Sequence, residues 1–169
     1  RGVRLGITSP EIYEMQIKAV FEATAELVKK KINAKPQIMI PQVSSIAELN
    51  HIKSIYNNVK SDMEKKYRIK FKINFGTMLE VVRACLTSNE LVKTAEFFSF
   101  GTNDLTQAVF SFSREDAENK FLPEYMEKEL LETSPFQSID ENGVGNLMEI
   151  AIAQGRKRSE EHTSELQSQ

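Results

Sequence analysis

The sequence of 169 residues contains no tryptophan, one cysteine and no marked excess of either charge. A single cysteine, Cys85, excludes an intramolecular disulfide and favours a reducing compartment. The sequence has 22 Lys and Arg and 24 Asp and Glu, a net charge of −2. It therefore lacks the excess of positive charge typical of proteins that bind nucleic acid or an anionic membrane. No apolar run approaches the ~20 residues of a transmembrane helix. We therefore expect neither nucleic acid nor membrane as a partner, and a cytoplasmic location with a plastid or other organelle still open.

What remains is an ordinary globular composition, with 40% apolar and 27% charged residues. Short apolar runs typical of strands alternate with amphipathic stretches typical of helices, which favours the α/β class. Strands are predicted at 4–7, 38–40, 71–78 and 97–100, and the wholly apolar run at 38–40 is typical of a strand buried on both faces. Helices are predicted at 11–31, at 46–63 with Ser44 or Ser45 as its N-cap, at 80–95 with a break at 87–88, and at 105–110, 124–131 and 146–154. Apart from the helix at 124–131, residues 113–137 are predicted to be rich in loops.

These three or four β-α units are too few to close an eight-unit barrel of ~250 residues. The sheet is therefore either small and open or part of a larger barrel. The first residue is Arg1, with no Met and no signal-peptide pattern, which favours the second reading. We predict an incomplete (β/α)₈ barrel in which parallel strands alternate with helices.

The character of the sequence changes after Lys157. Residues 158–169 are polar, with one apolar residue, and are typical of a disordered tail. The same string also looks like the translation of a sequencing-library adapter, and we prefer that interpretation. The predicted organisation is one partial domain at 1–157 followed by a non-native or disordered tail at 158–169.

Two carboxylates follow successive predicted strands. Glu80 ends one strand phrase, and Asp104 lies just after the next. If these strands are parallel neighbours, both side chains emerge at one edge of the sheet, where a pair of carboxylates suits a hard cation such as Mg²⁺. The alternative is that Thr102, Asn103 and Asp104 merely cap the following helix. The residues alone leave both readings open.

Several phrases resemble the pyruvate, phosphate dikinase family of phosphoenolpyruvate-utilising enzymes. They are RGVRLG at 1–6, IMIP at 38–41, GTMLE at 76–80, FFSFGTNDLTQ at 97–107, FSREDA at 112–117, KFLP at 120–123 and DENGVG at 140–145. The resemblance runs in order from residue 1 to about 157. The GTNDLTQ core is also shared with phosphoenolpyruvate synthase and with enzyme I of the bacterial phosphotransferase system, which remain the alternatives among enzymes. A non-catalytic orphan fragment is the alternative of another class.

The resemblance implies that the chain is part of the barrel that binds phosphoenolpyruvate (PEP) and pyruvate. In the family, a phosphohistidine on a separate swivelling domain passes its phosphoryl group to pyruvate, with Mg²⁺ as cofactor. The parent reaction would convert ATP, pyruvate and phosphate to AMP, PEP and diphosphate, in a homodimer that also carries an ATP-binding domain. This fragment is expected to be inactive alone, because the phosphohistidine and the proton-donating Cys of the family are absent from it.

The same resemblance assigns roles to individual residues. Glu80 and Asp104 match the metal ligands, and Glu80 also matches a substrate ligand. Gly101, Thr102 and Asn103 match a loop that contacts substrate, and Arg114 matches an Arg that contacts phosphate. Cys85 is expected to pack in the core, as free Cys usually does, and His51 to lie on the surface or in packing.

Overall fold

A computed structural model describes the backbone of residues 1–167 and the side chains of residues 1–156. Its elements, in chain order, are α1 (Val3–Thr8), α2 (Pro10–Lys29), β1 (Gln37–Ile40), α3 (Ile46–Tyr67), β2 (Asn74–Leu79), α4 (Val82–Leu86), α5 (Ser88–Leu91), β3 (Phe98–Phe100), α6 (Thr102–Phe110), α7 (Arg114–Lys120), α8 (Leu122–Glu127), a π-helical turn (Glu141–Gly145) and α9 (Asn146–Gln167). No helix within this range combines the length and apolar content that crossing a membrane requires.

The strands form a parallel sheet in the order β1-β2-β3. In the β1-β2 pair, Ile38 lies opposite Phe75 and Ile40 opposite Thr77. The buried Thr77 hydroxyl also donates to the Ile40 carbonyl at 2.9 Å, which fixes this register from the side chain as well. Because each parallel return needs a crossover, α3 joins β1 to β2, and α4 and α5 join β2 to β3. The predicted α/β class is confirmed.

The chain divides into two compact units. The first comprises Arg1–Met78 and Glu90–Ser99, and the second comprises Leu79–Asn89 and the chain from Phe100 onward. The chain thus passes from the first unit to the second in the last residues of β2 and again in those of β3. The six candidate site residues all belong to the second unit.

In the first unit, α1, α2 and α3 pack together around an aromatic core. Phe21 of α2 meets Phe71 edge-on at 5.0 Å between ring centroids and Tyr56 of α3 at 5.6 Å, and Tyr56 in turn meets Phe75 of β2 at 5.2 Å. Ser45 begins α3 with a capping box: its hydroxyl accepts from the Glu48 amide while the Glu48 carboxylate accepts from the Ser45 amide. The prediction of a cap at Ser44 or Ser45 is confirmed, with Ser45 in that role.

Several details of the sequence prediction are wrong. Residues 4–7 belong to helix α1 instead of a strand. The Val3 amide donates to the Pro41 carbonyl at 3.1 Å, and Gly6 lies close against the Tyr13 ring. β1 is not buried on both faces, since Met39 is 37% exposed. The last helix does not stop at Gly155 but runs to Gln167.

The second unit packs α4 on α9, α6 on α4 and on the π-helical turn, and α7 on α8. In addition, the hydroxyl of Ser88, the first residue of α5, donates to the buried Ala151 carbonyl of α9 at 2.7 Å. The predicted tail begins within the length of α9, and its side chains lie outside the described residues. Its interpretation as non-native or disordered stays a prediction.

The ionisation of Tyr56 is expected to lower the stability of the first unit at alkaline pH. Its hydroxyl donates to the Ile73 carbonyl at 2.6 Å, and burial, with smaller effects of Glu96 and Glu64, raises its pKa from 10.0 to about 12. A raised pKa stabilises the fold fully below the unfolded value, and this stabilisation is lost as pH rises from about 10 toward 12. We expect Tyr56→Phe in the full-length protein to flatten that loss in urea unfolding between pH 8 and 11.5.

The same substitution is expected to cost about 1 kcal/mol at neutral pH, because the Ile73 carbonyl loses its donor. Tyr125→Phe is the control, since Tyr125 is 42% exposed. Equal pH slopes for wild type and Tyr56→Phe would contradict the prediction.

Candidate functional site

The carboxyl ends of β2 and β3 lie side by side. The Gly101 amide, directly after β3, donates to the carbonyl of Leu79, the last residue of β2, at 3.1 Å. Hydrogen-bonded strands are about 4.8 Å apart, so the residues that follow each strand leave the sheet from neighbouring points. Glu80 follows one strand and the stretch from Gly101 to Asp104 follows the other, as the sequence predicts.

Glu80 occupies the link between β2 and α4, and its side chain is buried, with 8% of the residue exposed. Buried carboxylates are costly unless they are hydrogen-bonded, paired with a charge or bound to a metal. Polar or charged partners at this strand end must therefore satisfy the Glu80 carboxylate.

Gly76, four residues earlier in the same phrase, lies close to the segment of chain that leads into β3. A Cβ at this position would collide with the carbonyl and the ring of Phe97. The absence of a side chain at Gly76 therefore allows the segment around Phe97 to pack closely against β2.

Asp104 lies in the first turn of α6, where the helix dipole favours a carboxylate. The N-cap of α6 is Gly101, and no side chain forms a cap hydrogen bond there. The alternative that Thr102, Asn103 or Asp104 caps this helix is therefore wrong. The Asp104 Oδ1 atom instead accepts from Nε2 of Gln107 at 3.3 Å.

Arg114 opens α7, a helix whose N-cap is Ser113; the Ser113 hydroxyl accepts from the Asp116 amide at 3.2 Å. The guanidinium donates through Nε to Glu118 at 3.0 Å and through Nη1 to Oδ1 of Asn103 at 3.4 Å. It also lies over the Phe136 ring, with 5.1 Å between the guanidinium carbon and the ring centroid. Three neighbours therefore hold this cation next to the first turn of α6.

A cleft of about 150 Å³ adjoins this arginine. It is lined by Thr102, Asn103, Thr106, Arg114 and residues 135–139. The structure therefore brings three of the six predicted site residues to one cleft. The other three are not in its lining: Glu80 and Gly101 directly follow β2 and β3, and Asp104 lies in the first turn of α6.

The candidate ligands Glu80 and Asp104 are oxygen donors, the chemical type that suits Mg²⁺. Within the described part of the chain, no group of three or more His, Cys, Asp or Glu side chains is placed to hold a metal ion. Zinc sites need three or four such ligands, whereas Mg²⁺ is commonly bound by one or two carboxylates together with substrate and water oxygens. Glu80 and Asp104 supply two hard oxygen donors of that kind.

The comparison with protein families decides where the chain belongs. The profile of the PEP-utilising enzymes, PEP-binding domain, matches residues 1–160. The chain belongs to this family.

Several similar proteins are pyruvate, phosphate dikinases by name. Pyruvate, phosphate dikinase of Entamoeba histolytica is 52% identical over 158 residues, which cover 93% of this chain and 18% of that protein. The Giardia intestinalis protein of the same name is 43% identical over 156 residues, 92% of this chain and 18% of that protein. Pyruvate, phosphate dikinase 1, chloroplastic, of Oryza sativa is 47% identical over 161 residues, 93% of this chain and 16% of that protein. The family resemblance predicted from the sequence is confirmed, and the chain spans less than a fifth of these relatives.

Two residues that a search for nucleophiles would select take no part in the site. Cys85 is fully buried in α4, and burial raises the pKa of its thiol to about 11, so it is a core residue as predicted. His51 is exposed on α3, as its sequence context indicates.

Sequence reasoning missed two features of this family member. Helix α7 was expected as loop, although Ser113 followed three residues later by Asp116 is a helix-start signal. Gln107 belongs to the family phrase at 97–107 but has no predicted role, yet it connects Asp104 to the backbone of Arg114. Its spacing of three from Asp104 on one helix was the available signal.

Proposed function

We propose that this chain is the metal-binding and substrate-binding part of a pyruvate, phosphate dikinase. The parent reaction converts ATP, pyruvate and phosphate to AMP, PEP and diphosphate. Membership of the PEP-utilising family and the name shared by the relatives support this assignment. The three-stranded parallel sheet is proposed to be an arc of the (β/α)₈ barrel that binds PEP and pyruvate.

The observation that carries the proposal is the hydrogen bond between Gly101 and Leu79 at 3.1 Å. It joins the two strand ends, so that Glu80 and the first turn of α6 leave the sheet together. Glu80 and Asp104 are the proposed Mg²⁺ ligands. When bound, Mg²⁺ supplies positive charge that stabilises negative charge on the oxygens of the substrate.

The remaining candidates are proposed to hold the substrate. Gly101, lacking a side chain, leaves room next to the strand end, and Thr102 and Asn103 offer a hydroxyl and an amide at the cleft. Arg114 presents a planar set of donors that matches phosphoryl oxygens. The contacts of this guanidinium with Asn103, Glu118 and Phe136 restrict its rotamers, so that little order is lost when a phosphoryl group binds.

The rest of the reaction is proposed to come from other parts of the parent protein. The chain spans about 18% of the length of the relatives that it matches. The ATP-binding domain, the swivelling domain with its phosphohistidine and the second subunit of a homodimer are proposed partners. By itself the chain is expected to bind pyruvate or PEP without turning them over.

The test uses the full-length protein that contains this chain, with ATP, phosphate and pyruvate as substrates. PEP, AMP and diphosphate are expected in equal amounts, and removal of Mg²⁺ with EDTA is expected to abolish their formation. Turnover that does not depend on added phosphate would favour a phosphoenolpyruvate synthase. Absence of any PEP with all substrates and Mg²⁺ present would overturn the proposal.

A further inference from the structure

We propose that Gln107 is a positioning residue that orients the Asp104 carboxylate for the metal and fixes the start of α7, from which Arg114 extends. This inference rests on the proposed function, because Asp104 is a ligand only in that proposal. Gln107 lies one helical turn beyond Asp104 in α6, away from the end of β3. Its position relative to the sheet therefore assigns it no role, and the inference depends on its hydrogen bonds.

The Gln107 side chain bridges two groups of opposite hydrogen-bonding character. Its Nε2 atom donates to Oδ1 of Asp104 at 3.3 Å, and its Oε1 atom accepts from the Arg114 amide at 2.8 Å. A backbone amide can only donate and a carboxylate can only accept, so this pair of partners fixes which way the amide group of Gln107 faces. Among side chains of this length, only Gln supplies an acceptor on one side and a donor on the other.

The backbone of Gln107 holds the same turn. Its carbonyl accepts from Phe112 at 3.1 Å and from the amide of Ser111, which ends α6 with φ at 57°. The chain reverses at Ser111, and this reversal brings Arg114 back beside the residue that precedes it by seven positions. Gln107 therefore stabilises the chain reversal at two points. Its backbone carbonyl binds the amides at 111 and 112, and its side chain binds the amide of Arg114.

These contacts close a ring that contains three of the six proposed binding residues. From Asp104 the ring passes through Gln107 to the amide of Arg114, then from the Arg114 guanidinium to Asn103 at 3.4 Å, and Asn103 is bonded covalently to Asp104. A group that holds one carboxylate oxygen leaves the carboxylate with fewer orientations. Residues that orient metal ligands in this way typically change metal affinity or activity 10- to 100-fold when replaced.

The test measures Mn²⁺ binding to the full-length protein by electron paramagnetic resonance, as a stand-in for Mg²⁺, beside steady-state kinetics. Gln107→Met keeps the length and helix propensity but removes both hydrogen bonds. Gln107→Glu keeps the shape but places an acceptor and a like charge against Asp104. We expect each to raise the Mn²⁺ dissociation constant about 10-fold or more, to raise the Mg²⁺ concentration for half-maximal turnover in parallel, and to keep the melting temperature within about 2 °C of wild type.

Three controls separate the outcomes. Gln16→Met makes the same change at an exposed position of α2 and is expected to leave metal affinity unchanged. If Asp104→Asn weakens Mn²⁺ binding while both Gln107 variants stay within twofold of wild type, the role of Gln107 is overturned and the proposed function stands. If Asp104→Asn and Glu80→Gln also leave Mn²⁺ binding unchanged, the proposed metal site itself is overturned. A loss of affinity in the Gln107 variants that appears only together with a collapse of the melting temperature assigns Gln107 a purely structural role and overturns the inference.

Discussion

Replacing Glu80 with glutamine in the full-length protein is expected to lower kcat for PEP formation by about 10²- to 10³-fold. Removal of one preorganised group that stabilises transition-state charge has effects of this size. Glu80→Gln keeps the volume of the side chain in a site where 8% of the residue is exposed, so the loss arises from the missing charge and not from a cavity. The measurement is steady-state turnover at several Mg²⁺ concentrations.

A matched variant shows whether that loss is specific. Glu149→Gln makes the same chemical change on an exposed face of α9, in the same unit of the chain, and is expected to leave kcat within twofold of wild type. Asp104→Asn is expected to behave like Glu80→Gln, because both carboxylates are proposed to hold one ion. Glu80→Gln turnover within threefold of wild type, with unchanged dependence on Mg²⁺, would show that this carboxylate has no part in metal binding.

The positions of Glu80 and Asp104 were predictable because they depend on a local pattern. Each follows an apolar run, and parallel strands bring such positions to one edge of a sheet. The hydrogen bond from Gly101 to Leu79 realises that expectation. The sequence could not exclude a capping role for Asp104, since the choice of N-cap depends on the backbone angles at Gly101.

The part of the site that escaped prediction depends on a reversal of the chain. Gln107 meets the Arg114 amide only because Ser111 adopts a left-handed conformation, which few non-glycine residues do. The error at residues 4–7 has a related cause. A short apolar run fits a strand or a helix equally well, and contacts from Pro41 and Tyr13, distant in sequence, decide for α1.

Replacing Phe21 with alanine is expected to destabilise the first unit by about 3–5 kcal/mol, the usual cost of emptying a buried aromatic position. The Phe21 side chain is fully buried, and its ring is in contact with those of Phe71 and Tyr56. At 1.4 kcal/mol per tenfold, exchange of the slowest backbone amides of α2 and α3 should become about 10²- to 10⁴-fold faster. The measurement is hydrogen exchange of the full-length protein by mass spectrometry, which reads these helices separately from the other domains.

Met15, also in α2, provides the control for the exchange rates measured with Phe21→Ala. It is 62% exposed, so Met15→Ala removes surface that water already reaches and is expected to change exchange by less than about threefold, in keeping with surface substitutions. The difference between the two variants then measures burial and not helix propensity, because both place alanine in α2. Similar exchange rates in the two variants would mean that Phe21 does not anchor α2 on α3. Acceleration in α2 alone, with α3 unchanged, would mean that the ring contact with Tyr56 does not couple the two helices.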